Sequence, residues 1–192
     1  MIIAIVDLET TGLDTLNDRI LEVACILFDT EAHRIVEQYS QLVYWPKLSI
    51  PPAVTKIHGI TEELCEAYGV EIDIALGYFT ATVDKSDFII AHNGNGFDKP
   101  IMWNHYRKSN ITPPNIPWAD SRTDIPYPQH ISTRKLLHLA AEHGLQILPG
   151  HEAYNDCRML LDLLKNYDME DLLKLVNYRK TGRLSLCQQK QN

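Results

Sequence analysis

No apolar run in the chain approaches the roughly 20 residues a bilayer span needs. The N-terminus, MIIAIVDLETTG, has no basic n-region and reaches acidic residues at once, so it does not read as a signal peptide. No two of the four cysteines form a C-x-x-C pair. Cys25, Cys65, Cys157 and Cys187 are scattered and read as reduced, mostly buried thiols rather than disulfides or a zinc site. Internal repeats, low-complexity tracts and charge blocks are absent, so nothing marks a linker. These absences lead to an expectation of one cytoplasmic domain, residues 1–178, with a polar C-terminal tail, 179–192, and no membrane partner.

The 192 residues suit one domain with a real core. At 45% hydrophobic and 22% charged, the composition is globular. A net charge of −7 argues weakly against tight nonspecific nucleic-acid binding, which rests on phosphate neutralisation. Solubility accounts for that acidity, and local charge can differ from net charge.

Residues 2–8, an apolar β-branched run, are long enough for a buried strand. Residues 19–28 and 34–44 read as second and third strands, antiparallel across short links. Pro51-Pro52 starts a helical turn over 53–58, and Thr61 caps another helix. A helix over 72–83 leads to a strand at 87–91, then a helix over 97–108. A Pro-rich loop, 110–115, precedes a short strand over 116–120. Ser132-Thr133 is expected to cap a helix running to His143 and stopped by Gly144. Two further helices are expected over 152–166 and 169–178. Three strands followed by helices alternating with short strands indicate an α/β fold with a mixed sheet covered by helices.

Four carboxylates stand where apolar residues would be ordinary. Asp7 and Glu9 are two apart on the first strand and so share one face at the end of a buried element. Asp98 flanks the inward face of its helix, with Ile101, Met102 and His105 as neighbours. Asp156 lies beside Ala153 and Leu160 on the next amphipathic helix. Each acid alone has a plain explanation as a strand-end or early-helix residue. Four together point to a site, because desolvated carboxylates are costly unless paired or bound to a metal. Hard oxygen ligands in a cluster suit Mg²⁺ or Mn²⁺.

The motifs resemble those of the DEDDh, or DnaQ-like, exonucleases. The first is Val6-Asp7-Leu8-Glu9-Thr10-Thr11-Gly12-Leu13, and the second Ala91-His92-Asn93-Gly94-Asn95-Gly96-Phe97-Asp98. The third is His151-Glu152-Ala153-Tyr154-Asn155-Asp156, with the five-residue step from His151 to Asp156 that marks the h subtype. Ile57-His58-Gly59-Ile60-Thr61 looks like a family loop beside the terminal nucleotide. The ordered set covers roughly residues 3–166. In one departure, Asp98 stands five residues after Asn93 where many members have four, an insertion similar to that of the three-prime repair exonucleases of animals.

The resemblance implies a ribonuclease-H-like fold with a five-stranded mixed sheet flanked by helices. It implies 3′-to-5′ exonuclease action with two ions, Mg²⁺ or Mn²⁺, held by Asp7, Glu9, Asp98 and Asp156. His151 is the implied general base. Thr10 and Thr11 would meet the terminal 3′-hydroxyl, Leu13 would wedge the terminal base, and His58 and Phe97 would pack near it, with Asn93 ordering the loop or touching phosphate. The implied partner is nucleic acid, at single-stranded 3′ ends. Arg122, Arg134 and Lys135 are basic candidates for the incoming strand, although solvated-face charge explains each one alone. Asp120, at a strand end, reads as a capping residue. The chain shows no polymerase domain, so any proofreading role would be in trans. Two other readings stay open: a noncatalytic nucleic-acid-binding module on the same fold, and an enzyme restricted to short oligonucleotides.

Overall fold

The structure, a computed structural model, describes residues 1–148 and 151–181, without the side chains of 178–181. β1 (Ile2–Thr10), β2 (Ile20–Asp29) and β3 (Arg34–Tyr44) form an antiparallel meander. α1 (Pro52–His58) and α2 (Glu62–Tyr68) follow, and then β4 (Val70–Glu71) and α3 (Ile72–Val83). β5 (Phe88–Ala91) leads into α4 (Asp98–Lys108), and β6 (Trp118–Asp120) into α5 (Ser121–Asp124). α6 (Leu136–Glu142), α7 (Ala153–Leu164) and α8 (Met169–Thr181) complete the described chain.

The sheet runs β4-β3-β2-β1-β5-β6, with β5 parallel to β1 and β6 parallel to β5. It has six strands, where the sequence led to an expectation of five. The extra strand is the two-residue β4, parallel to β3 at Val43 and Tyr44. Gly69 brings it there: a Cβ at Gly69 would stand 2.6 Å from the Tyr44 backbone nitrogen. Two residues are too few to carry a period-2 signal.

Side-chain alternation splits β1 between two cores. Ile3 and Ile5 pack with Ala24, Ile26, Phe88 and Ile90 under Leu139, Cys157, Leu160 and Val176. Ala4, Val6 and Leu8 pack on the other face with Leu76, Phe79, Met102 and Tyr106. Asp7 and Glu9 continue the Ile3–Ile5 row, so they point to the face that α7 covers. α7 is anchored there by Cys157, whose thiol donates to the Ile5 carbonyl at 3.6 Å.

The last third departs from expectation in its details. α6 begins at Leu136 with no side-chain cap, not at Ser132-Thr133. The stretch before it stays extended because it has other partners: the Arg134 carbonyl lies 2.6 Å from His92 Nε2, and the Arg134 guanidinium stacks 4.9 Å over the Tyr127 ring. α5 was not expected; Asp120 caps it by accepting the Arg122 N–H at 2.9 Å. α8 runs three residues past the expected boundary at 178, and the rest of the expected tail, 182–192, lies outside the described residues. Cys25, Cys65 and Cys157 are free and buried, and Cys187 also lies outside. Among the described residues no helix is long and apolar enough to cross a membrane.

Candidate active site

The parallel strands β1, β5 and β6 all end at one edge, where the chain turns away and leaves room for a site. Asp7 and Glu9 sit on the last turns of β1's pleat, Asp98 opens α4, and Asp156 lies in the first turn of α7. His151 stands two residues before α7 with φ 64°, a left-handed conformation that a histidine adopts more readily than most residues.

Ligand atoms of Glu9, His151 and Asp156 lie within 4.8 Å of one another. Asp7 is tied to the same group by charge. Burial raises its carboxyl well above the usual range, and Asp98, Asp156, Glu9 and Glu22 each raise it further. Burial also lifts Glu9 to about 8, with Asp156, Glu22 and Asp98 adding to the effect. Asp98 is 3% exposed, and burial takes it to about 7, opposed by backbone N–H groups of Asp98 and Leu8. Asp156 is raised by burial and lowered by His151. Carboxyls crowded out of water in this way prefer a proton or a cation. The oxygen-rich donor set with one imidazole, held at ligand spacing, fits a hard divalent ion.

The implied substrate residues fare unevenly. His58 is 7% exposed; its Nδ1 accepts the Ile60 N–H at 3.0 Å, and its Nε2 is buried with no partner among the described residues. Burial pushes its pKa down, with the Thr10 backbone opposing and His151 reinforcing, which places it between the first motif and the histidine. The Thr10 hydroxyl donates to the Gly12 carbonyl at 2.7 Å, and the Thr11 hydroxyl to Asp18 at 2.7 Å. A Cβ at Gly12 would stand 2.5 Å from the Asp18 carboxylate, so a larger residue there would push that side chain aside. Leu13 projects into solvent, 85% exposed. Its loop is pinned to α4 by Asn104 Nδ2 and Lys108 Nζ, which donate to the Leu16 carbonyl at 2.8 and 2.7 Å. Phe97 packs half-buried on the core face opposite α7.

Asn93 adopts φ 67° and orders its loop. Its N–H and that of Asn95 donate to the Asp120 carboxylate at 2.9 and 3.1 Å, and its side-chain oxygen takes Arg122 Nη1 at 3.2 Å. Asp120 is therefore the cap it was expected to be, and it also fixes the loop that delivers Asp98. His92 is locked between Ser121 Oγ at 2.8 Å and the Arg134 carbonyl.

Glu22 was missed by the sequence reading. It sits opposite Glu9 in the β1–β2 register, accepts a hydrogen bond from the Ser40 hydroxyl, and takes the Ala153 N–H at 3.3 Å, tying α7's first turn to the sheet. A lone acid within the apolar stretch ILEVAC was the available signal.

A mixed sheet with helices on both faces, and acids gathered where its central parallel strands end, defines a ribonuclease-H-like nuclease. The RNase T exonuclease family model matches residues 4–164, and the chain belongs to that family, the DnaQ-like exonucleases. It is 28% identical over 162 residues to the DNA polymerase III epsilon subunit of Treponema pallidum, covering 82% of this chain and 72% of that one. The chain spans only 11% of the PolC-type polymerase of Clostridium perfringens. Among solved structures, exonuclease I superposes with TM-score 0.77 at 19% identity, over 93% of this chain and 44% of its own. Exonuclease X, solved with 5′-overhanging duplex DNA, gives 0.65 at 22% identity over 89% of this chain and 99% of its own. The protein is an exonuclease, and exonucleases of its family are metal-dependent.

Proposed function

We propose that the protein removes nucleotides from the 3′ end of nucleic acid, one at a time, as nucleoside 5′-monophosphates. The observation that carries this is the convergence of Glu9, His151 and Asp156 within 4.8 Å beside the half-buried Asp7 and the buried Asp98. Asp7, Glu9 and Asp156 would hold one Mg²⁺ or Mn²⁺, and Asp7 with Asp98 a second. Bound there, the pair would stabilise charge on the phosphate and ease deprotonation of the attacking water.

His151 accepts the proton of that water at a ring nitrogen as the water oxygen attacks phosphorus. The bond from phosphorus to the 3′ oxygen breaks, and that oxygen leaves with a proton from solvent. The Asp156 carboxylate lies within 4.8 Å of a His151 ring nitrogen. Backbone groups at Thr10 and Thr11 receive the terminal 3′-hydroxyl, which restricts cutting to ends. Leu13, exposed on a pinned loop, would meet the terminal base, with His58 and Phe97 near it. Partners are DNA or RNA strands with free 3′ ends, and we place the protein in the cytoplasm.

The test is release of mononucleotides from a labelled single strand. Activity should require a divalent ion, with Mg²⁺ or Mn²⁺ effective and Ca²⁺ poor, and vanish after exhaustive EDTA treatment. Full activity after that treatment would overturn the two-ion reading.

A further inference from the structure

An open cleft of about 830 Å³ adjoins the acids, between the α5–α6 segment and the start of α7. His92, Arg122, Arg134, Lys135 and His138 line it, and His151 and Asp156 form its inner end. In a chain of net charge −7, three fixed cations meet here. Asp156 is the one acid among the described lining residues. Among the described residues no carboxylate pairs with Arg122, Arg134 or Lys135.

Each cation is held or left available. Arg122 is exposed and contacts the neutral Asn93 oxygen, so its position is fixed while its charge is not cancelled. Arg134 stacks on Tyr127, and its Nη1 is buried with no hydrogen-bond partner among the described residues. An arginine nitrogen left bare and out of water is costly unless an acceptor arrives. Lys135 is exposed beside it. Local positive potential in an acidic protein concentrates anions at one place, and a guanidinium fork suits phosphate.

We propose that this cleft is a binding subsite for a nucleic-acid backbone phosphate other than the one being cut. The identity of the anion rests on the exonuclease reading; the site itself rests on the cations and the cavity. A phosphate bound here holds the substrate while its end lies on the acids, so affinity should grow beyond the shortest oligonucleotides.

The test compares binding by Arg122→Gln/Lys135→Gln with the parent, both in an Asp7→Asn background so that the strand survives. The probes are a single-stranded oligodeoxynucleotide, the same sequence in duplex, and the same sequence with neutral methylphosphonate linkages. Affinity for the phosphodiester strand should fall several-fold, and the slope of log affinity against log salt should flatten by about one for each cation removed. Arg122→Lys/Lys135→Arg should restore both. Lys85→Gln, outside the cleft in the ion pair with Glu37, should change neither. Loss on both single strand and duplex assigns the phosphate to the strand being trimmed; loss on duplex alone assigns it to the complement. Unchanged affinity and salt slope, or an equal loss for the methylphosphonate probe, overturns the proposal. Hydrolysis of the p-nitrophenyl ester of thymidine 5′-monophosphate by the wild type judges the catalytic reading separately, because that ester carries no second phosphodiester.

Discussion

Asp7 is raised by burial and by four neighbouring acids, and relieving it is the clearest single change. Asp7→Asn should abolish turnover yet keep or raise the melting temperature of the metal-free protein, because one of several repelling charges is gone. A steep drop in that temperature would mark the acids as structural. His151 sits at ligand distance from Glu9 and Asp156 but is exposed and outside α7, a placement that suits a base reaching water. His151→Ala should lower turnover by roughly 100- to 10,000-fold at saturating metal. Near-wild-type turnover at saturating metal would remove His151 from the base role.

At the scale of elements, Asp120 joins β6, α5 and the loop that delivers Asp98, accepting N–H groups from Asn93, Asn95 and Arg122. Asp120→Ala should cost roughly 1–2 kcal/mol in denaturant unfolding, from a lost cap and partly buried donors left to water. It should also lower turnover by loosening residues 93–97. Unchanged stability would show that the loop is held elsewhere. β1, β3, α3 and α7 were legible in the sequence because long runs carry a clear period: Ile3, Ile5, Asp7 and Glu9 fall on one face by alternation alone. β4 was not, because its pairing depends on Gly69 lying flat against β3, a tertiary fact. The start of α6 was missed because His92 and Tyr127 claim Arg134, overriding the local capping signal of Ser132 and Thr133. The candidate acids were readable from motif spacing. Glu22 was not, since its relevance appears only when β2 aligns it with Glu9.

For the whole molecule, the site is a local instability that a cation relieves. Glu9 moves from an ordinary 4.5 to about 8, and Asp98 from 3.8 to about 7. Between those limits the folded chain binds more protons than the unfolded one, so stability falls as pH rises. The metal-free protein should be most stable below about pH 4 as far as these groups are concerned, and should lose that contribution progressively up to about pH 8. Saturating Mg²⁺ should flatten this slope in thermal melts, because a ligand that binds only the folded state adds stability where the acids are ionised. A metal-free protein that gained stability over this pH range would contradict the crowded-acid picture.

The most direct measurement offers the protein a linear single strand and a covalently closed circle of the same sequence, with Mg²⁺, and identifies the products. A free end is the one feature the circle lacks. The account predicts nucleoside 5′-monophosphates released stepwise from the 3′ end of the linear strand and an intact circle. Cutting of the circle at a comparable rate, or release of 3′-monophosphates from the linear strand, would contradict it.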